Sequence, residues 1–211
     1  MLWSVPKLWP DSTVYILGGG YSLLNERLHL IRNEKVIGVN IAFKLGDWVD
    51  ICWFGDKRWY QWNKEKLKDF EGLKVACCPV LEGEKGIKVL DREKKLGMSN
   101  RPDRLYWNWC SGSSAIDFAH HLGAKKIVLL GFDMKPAWAG KNNWHDDHEV
   151  KDNSEEAYPK YLSAFPEIAK DAIRKEIVII NSTMSSVIPE CYIPKMPLEE
   201  VVENENQSCY S

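Results

Sequence analysis

What this sequence lacks narrows it first. In 211 residues no apolar run approaches the roughly 20 that a membrane-spanning helix needs. The opening MLWSVPKLWPD has no apolar stretch of the secretory kind. Lys and Arg number 28 against 30 Asp and Glu. Without a basic surplus, nucleic acid and anionic membranes are not expected partners. No internal repeat is present. None of Cys52, Cys77, Cys78, Cys110, Cys191 and Cys209 forms a C-x-x-C pair, and several lie in apolar runs. They read as reduced core thiols of a cytoplasmic protein, not as a disulfide framework or zinc site. G-x-S-x-G is missing, which argues against a serine hydrolase. The glycine-rich stretch lacks both the G-x-G-x-x-G spacing and the Lys-Ser/Thr of a P-loop.

What is present is an alternation of short apolar runs with amphipathic segments. Strands are expected at 13–17, 35–40, 49–54, 73–78, 126–133 and 176–181. The run 126–133 is apolar on both faces, as a central parallel strand must be. Helices are expected at 57–70, 113–123 and 154–174, the second with Gly123 as its stop. Residues 79–104 read as loops with one short strand. The prediction is therefore an α/β fold: a single Rossmann-like domain over 1–197, with a mainly parallel sheet and helices on both faces. Residues 198–211 are expected to be a polar, loose C-terminal tail. Of the ten tryptophans, Trp59 and Trp62 are expected to pack a helix on the sheet. Trp138 and Trp144 are expected on an exposed loop.

In a parallel sheet, ligands bind outside the carboxyl ends of the strands. The groups just beyond those ends are Gly18-Gly19-Gly20, Asn40, Gly55-Asp56, Asp133 and Asn181-Ser182. All are small or polar, and they should converge on one edge. Gly18, Gly19, Gly20 and Ser22 suit a turn where backbone N–H groups meet a phosphate, or simply a tight strand-to-helix turn. Ser111, Gly112 and Ser113 precede a helix. They read as a cap and as a second anion cradle. Asp133 reads as a ribose or metal contact, or as a cap. NNWHDDHEV (142–150) has three readings. One histidine, His148 or His145, is a general base. Alternatively, His145 and His148 form an H-x-x-H pair that binds a divalent metal with Asp133, Asp146 or Asp147. Or the segment is a polar turn.

Several stretches recur in order elsewhere: VYILGGGYSLL, VIGVN, SGSSAIDFAHHLGAKKIVLLGFD, a His-bearing loop, and VIINSTMSSV. The chain resembles bacterial sialyltransferases of the Campylobacter type (glycosyltransferase family 42) over about residues 13–187. Their pattern runs G-N-G-P-S, C-N, T-S-G, G-I-D, a loop with His, and P-N-S. It is also similar to phage-encoded proteins that share F-G-D-x-R-W and a Trp–His loop. Its start resembles archaeal-type pterin pyrophosphokinases. The first resemblance implies a nucleotide-sugar donor, an acceptor, and no required cofactor. It places Gly18, Gly20 and Ser22 at the nucleotide phosphates, and Asn40 and Asp56 at the nucleotide or sugar. Ser111–Ser113 would line the same pocket, and His148 (or His145) would deprotonate an acceptor hydroxyl. Gly19 replaces the Asn of G-N-G, and Tyr21 replaces the Pro. The family's two tyrosines that assist the departing phosphate follow its G-I-D; here Lys135, Trp138 and Trp144 occupy that region. The reading adopted is a glycosyltransferase-like enzyme, phage-encoded and located in the host cytoplasm, with homo-oligomerisation left open. The alternatives are a non-catalytic nucleotide-binding accessory or assembly protein of a phage, and a pyrophosphokinase-like phosphotransferase.

Overall fold

The computed structural model describes residues 2–137, 143–145 and 156–208. Nine strands are found among them. These are β1 (Thr13–Leu17), β2 (Lys35–Val39), β3 (Ile51–Phe54), β4 (Leu73–Ala76), β5 (Lys88–Val89), β6 (Asp91–Glu93), β7 (Arg104–Tyr106), β8 (Lys126–Leu130) and β9 (Val178–Asn181). The helices are α1 (Lys57–Asn63), α2 (Ser111–Leu122), α3 (Ala157–Leu162), α4 (Phe165–Arg174) and α5 (Leu198–Ser208). Seven strands form one sheet in the order β5-β4-β3-β2-β1-β8-β9, and every pairing in it is parallel. A small β6–β7 pair stands apart.

The sheet is covered on both faces, as its apolar strands require. Val14 and Ile16 of β1 face α2 and α4, through Ala115, Ile116, Ala119 and Ile168. Tyr15 and Leu17 face the other layer, with Ile41, Trp59, Leu67 and Val201. Trp53 stacks on Phe118 with centroids 4.4 Å apart, which fixes α2 against β3. Inside α2, buried Asp117 accepts from Ser99 N–H at 2.9 Å and Tyr106 N–H at 2.8 Å. Burial pushes its carboxyl up to about 7. One turn on, His121 lies 3.5 Å from Asp117 and is held down to about 3, first by burial.

Four expectations need correction. The helix placed at 57–70 ends at Asn63, where the Asn63 side chain bonds back to the Trp59 carbonyl at 2.9 Å and so competes with further helical turns. Trp62 stands 36% exposed, while Trp59 is buried. The long helix at 154–174 is two helices, broken at Ser163–Ala164 ahead of Pro166 in the first turn of α4. Proline is accepted there and disfavours continuation from before it. Trp144 is not exposed: it packs against the second core layer with a buried indole N–H. Trp138 lies outside the described residues.

The fourth correction concerns the C-terminus. The segment expected to be loose folds as α5. Leu198 and Val201 are buried, each worth about 1.5–3 kcal/mol. Glu205 accepts from Thr13 Oγ1 at 2.5 Å, Tyr15 Oη at 2.8 Å and Lys126 Nζ at 3.1 Å. The helix is thus nailed across β1 and β8. Of the cysteines, Cys52, Cys77 and Cys78 are buried thiols, Cys110 is half-buried and Cys191 is exposed. Among the described residues no helix is long and apolar enough to cross a membrane.

Candidate functional site

The strand order reverses between β1 and β8, because the chain moves outward one way from β1 through β2 to β5 and the other way through β8 to β9. Such a point opens a crevice at the carboxyl ends. Two backbone bonds continue the β1–β8 pairing past the strands: Gly18 N–H to the Leu130 carbonyl at 2.7 Å, and Gly20 N–H to the Gly131 carbonyl at 2.9 Å. The two exits run so close that a Cβ on Gly18 would lie 2.5 Å from the Gly131 oxygen. A Cβ on Gly20 would collide with the Asp133 carboxylate. Glycine is required here for close approach of backbone.

Asp133 ties the site together. It is 7% exposed. Its Oδ2 accepts from Ser22 N–H at 3.0 Å, and its Oδ1 accepts from Ser185 Oγ at 3.2 Å. Next to it, Phe132 N–H donates to Thr183 Oγ1 at 3.0 Å and Ser186 Oγ donates to the Phe132 carbonyl at 2.7 Å. The loop after β9 thereby buttresses the exit of β8. Several polar atoms at this edge are buried and have no hydrogen-bond partner among the described residues: Ser22 Oγ, Asn181 Nδ2, Ser182 Oγ and Trp144 Nε1. Native proteins keep few such groups.

The described part of the NNWHDDHEV segment lies on the glycine turn. Trp144 N–H donates to the Gly19 carbonyl at 3.2 Å, and Asn143 Oδ1 sits 3.1 Å from where a Gly19 Cβ would stand. The His145 ring meets the Trp144 ring edge-on, with centroids 4.9 Å apart. His148, Asp146 and Asp147 lie outside the described residues. Among those described, no three His, Cys, Asp or Glu gather as metal ligands.

The second glycine–serine turn is a neighbour of the first. The Phe132 ring lies 3.2 Å from the Cβ positions of both Gly18 and Gly112. This turn closes upon itself. Cys110 caps α2: its Sγ accepts from Ser113 N–H at 3.4 Å and contacts Ser113 Oγ at 2.7 Å. Ser113 Oγ also donates to the Asn108 carbonyl at 3.1 Å, and Ser114 Oγ donates to the Ser111 carbonyl at 3.0 Å. The Trp53 indole holds the Ser111 carbonyl at 2.9 Å. Ser113 is fully buried, so its hydroxyl serves the cap. Asn108 and Trp109 precede it with φ of 52° and 64°, an unusual pair for residues bearing a Cβ.

Asn40 and Asp56 stand at the ends of β2 and β3, farther along the same edge. Asn40 is left-handed with φ 54°, and its carbonyl accepts from the Cys52 thiol at 3.6 Å. Asp56 caps α1 by accepting from Arg58 N–H at 2.7 Å. Between them and β4, Arg92 Nη1 donates to the Gly55 carbonyl at 2.7 Å and the Cys77 carbonyl at 3.2 Å, and its guanidinium lies 4.4 Å from the Trp107 ring.

Two tyrosines were not read from the sequence as site residues. Tyr158 and Tyr161 of α3 meet edge to face at 6.2 Å. Burial pushes both phenols up. Tyr161 and then Asp133 add to the rise of Tyr158, and Cys110 to that of Tyr161; Lys160 between them lies 4.4 Å from the Trp109 ring, which sets α3 beside the second turn. Their spacing at i and i+3, on a helix entered from the histidine loop, was the available signal. Glu26 also borders the site, pushed up to about 7 by burial, then by Glu199 and Asp133.

No family model matches the chain, and no curated protein does. Solved structures share its fold. The sialyltransferase CstII of Campylobacter jejuni, in complex with cytidine-5'-monophosphate, superposes with a TM-score of 0.55 at 14% identity, over 90% of this chain and 86% of that one. The MAf glycosyltransferase of Magnetospirillum magneticum AMB-1 gives a TM-score of 0.62 at 14% identity. It is matched over 98% of this chain, which spans 38% of the length of MAf. The Rossmann-like α/β fold predicted from sequence is thus the observed fold, and it is one that glycosyltransferases use.

Proposed function

We propose that this protein is a nucleotide-sugar-dependent glycosyltransferase. The observation that carries the reading is the β1–β8 crevice, where bare glycine backbone is overlaid by Trp144 and His145. The donor phosphates would lie along Gly18–Ser22, with Asn40 and Asp56 toward the nucleoside or sugar. Ser111 and Gly112 would border the phosphates from α2. Asp133 would act indirectly, by holding the glycine turn through Ser22 N–H. His145 or His148 would take the proton of an acceptor hydroxyl. The acceptor oxygen then bonds to the anomeric carbon as the bond from that carbon to phosphate oxygen breaks, and the nucleotide leaves with the electron pair. The phenols of Tyr158 and Tyr161 would donate to the departing phosphate and supply charge stabilisation where it develops.

The second reading, a nucleotide-binding protein without turnover, is favoured by one observation: Asp133 and Ser113 are already committed to internal bonds. One experiment separates them. His145→Ala and His148→Ala are compared with wild type on a panel of nucleotide sugars that begins with cytidine monophosphate donors, following both nucleotide retention and sugar release. A transferase loses about 100-fold or more in turnover with one substitution while nucleotide affinity holds. Stoichiometric retention with no release by wild type would overturn the enzyme reading. Loss of a bound metal in both variants would replace the base assignment with a metal site.

A further inference from the structure

Charge gathers at the opposite end of the sheet. Because every strand of the main sheet is parallel, the amino ends share one edge. α1 begins directly beyond the carboxyl end of β3, so the chain must return across the sheet before β4 starts at Leu73. It does so again before β5 starts at Lys88. At those two returns a groove of ≈ 330 Å³ is lined by Lys64, Lys68, Lys74 and Lys85, with Tyr60 on its wall. Glu65 is the single acidic residue among those lining it, and it already pairs with Lys68 at 2.5 Å.

The groove is built rather than incidental. Lys74 is a sheet residue turned toward the apolar layer beside α1. It donates to the Phe70 carbonyl at 2.5 Å and lies 5.8 Å above the Phe70 ring. Tyr60 stacks on Phe54 with planes 5° apart, and its hydroxyl donates to Glu84 Oε2 at 3.0 Å. That bond fastens the turn carrying Lys85 to α1. The lysines come from separate stretches of chain, so they are not one solvated helix face. Lysines on an edge strand deter strand pairing, which accounts for Lys88 of β5. It does not account for Lys64 and Lys68, which approach from the α1 side. Like charges brought together repel, and an anionic ligand offsets that cost.

We propose that this groove is a second ligand site, for a small molecule carrying two adjacent phosphate or sulfate groups. The volume sits at the small end of ligand sites, roughly 300–1,000 Å³. The four ammonium groups face the Glu65 carboxylate in the lining and the Glu84 carboxylate on the Tyr60 hydroxyl; Lys64 and Lys85 come from different returns of the chain, so each can meet one of two linked anionic groups, whereas a single phosphate, at about −1.5 to −2, offers one centre of charge. The site is independent of the nucleotide crevice, since sheet ends separate them.

The test is calorimetric titration of the full chain with inorganic pyrophosphate, with inorganic phosphate as comparator. Pyrophosphate should bind once per chain and about tenfold or more tighter than phosphate, in line with a two-anion site. The double change Lys64→Glu with Lys85→Glu should weaken it by about tenfold or more, while exposed Lys7→Glu changes it less than about twofold. Lys64→Gln with Lys85→Gln gives the same direction without charge reversal, in case the first pair perturbs folding. Saturating cytidine monophosphate should not displace the probe. Equal binding by the double variants, equal affinity for phosphate and pyrophosphate, or displacement by the nucleotide would each overturn the proposal.

Discussion

Gly18–Ser22 and Cys110–Ser113 are both turns of glycine and serine and lie on either side of the Phe132 ring, yet they are built in opposite senses. The first turn bonds through backbone and through Asp133. It needs bare glycine where two exits touch and leaves the Ser22 hydroxyl buried and unpartnered. The second turn spends its side chains on itself: a thiol cap, a serine returned to the Asn108 carbonyl, and a tryptophan from β3 clamping the Ser111 carbonyl. A glycine–serine stretch at a strand end thus does not by itself announce a ligand. Whether its polar atoms are already satisfied decides which turn is receptive and which is structural.

The largest expected effect that would break this contrast comes from Gly20→Ala. Its methyl group must displace the Asp133 carboxylate or the Gly131 carbonyl, and the Ser22 N–H bond goes with it. Overpacking plus an orphaned buried group should cost about 3 kcal/mol, measured by denaturant unfolding, with loss of nucleotide binding in the fraction that folds. A variant as stable as wild type would show that the turn is not held by close approach.

Next in size is Ser113→Ala. Removing the hydroxyl takes the donor from the Asn108 carbonyl and one partner from Cys110 Sγ, so stability should fall by about 1–2 kcal/mol. Nucleotide affinity should stay within about twofold, because the hydroxyl faces inward. A large loss of affinity at unchanged stability would restore the two turns to equivalent cradles.

The strands were legible because each run is apolar on both faces, and their carboxyl-end residues were legible as one edge. That β1 and β8 are neighbours was not: only their pairing shows that the glycine turn sits at the reversal point. Nor were the partners of Asp133, which lie 111 and 52 residues away. The placement of Trp144 was hidden for a different reason. A single backbone bond to Gly19 and a half-buried indole hold it, and neither leaves a pattern in a polar stretch. α5 escaped because two buried residues and one carboxylate anchor it, and its remaining positions are polar. Tyr158 and Tyr161 sit on a helix cut short before Pro166, where the longer helix expected at 154–174 concealed their relation to the site.

The smallest expected change in stability, and the sharpest probe of the contrast, is Ser22→Ala. Ser22 has two functions that the substitution separates. Its N–H is bonded to Asp133 and survives the change. Its Oγ is buried without a partner, a state that costs free energy in the folded chain. Deleting that hydroxyl removes the cost and little packing. Stability should therefore hold within about 0.5 kcal/mol or rise, in contrast to the fall expected for Ser113→Ala. If the hydroxyl is kept for a phosphate oxygen that enters when the Trp144–His145 cover lifts, nucleotide affinity should drop severalfold, about 1 kcal/mol for one lost hydrogen bond. Paired unfolding and nucleotide titrations on the two serine variants read both quantities. Serine 113 losing stability alone and serine 22 losing affinity alone is the result the two turns demand. The reverse assignment, or no loss of affinity in either, would place the phosphates elsewhere on the carboxyl edge.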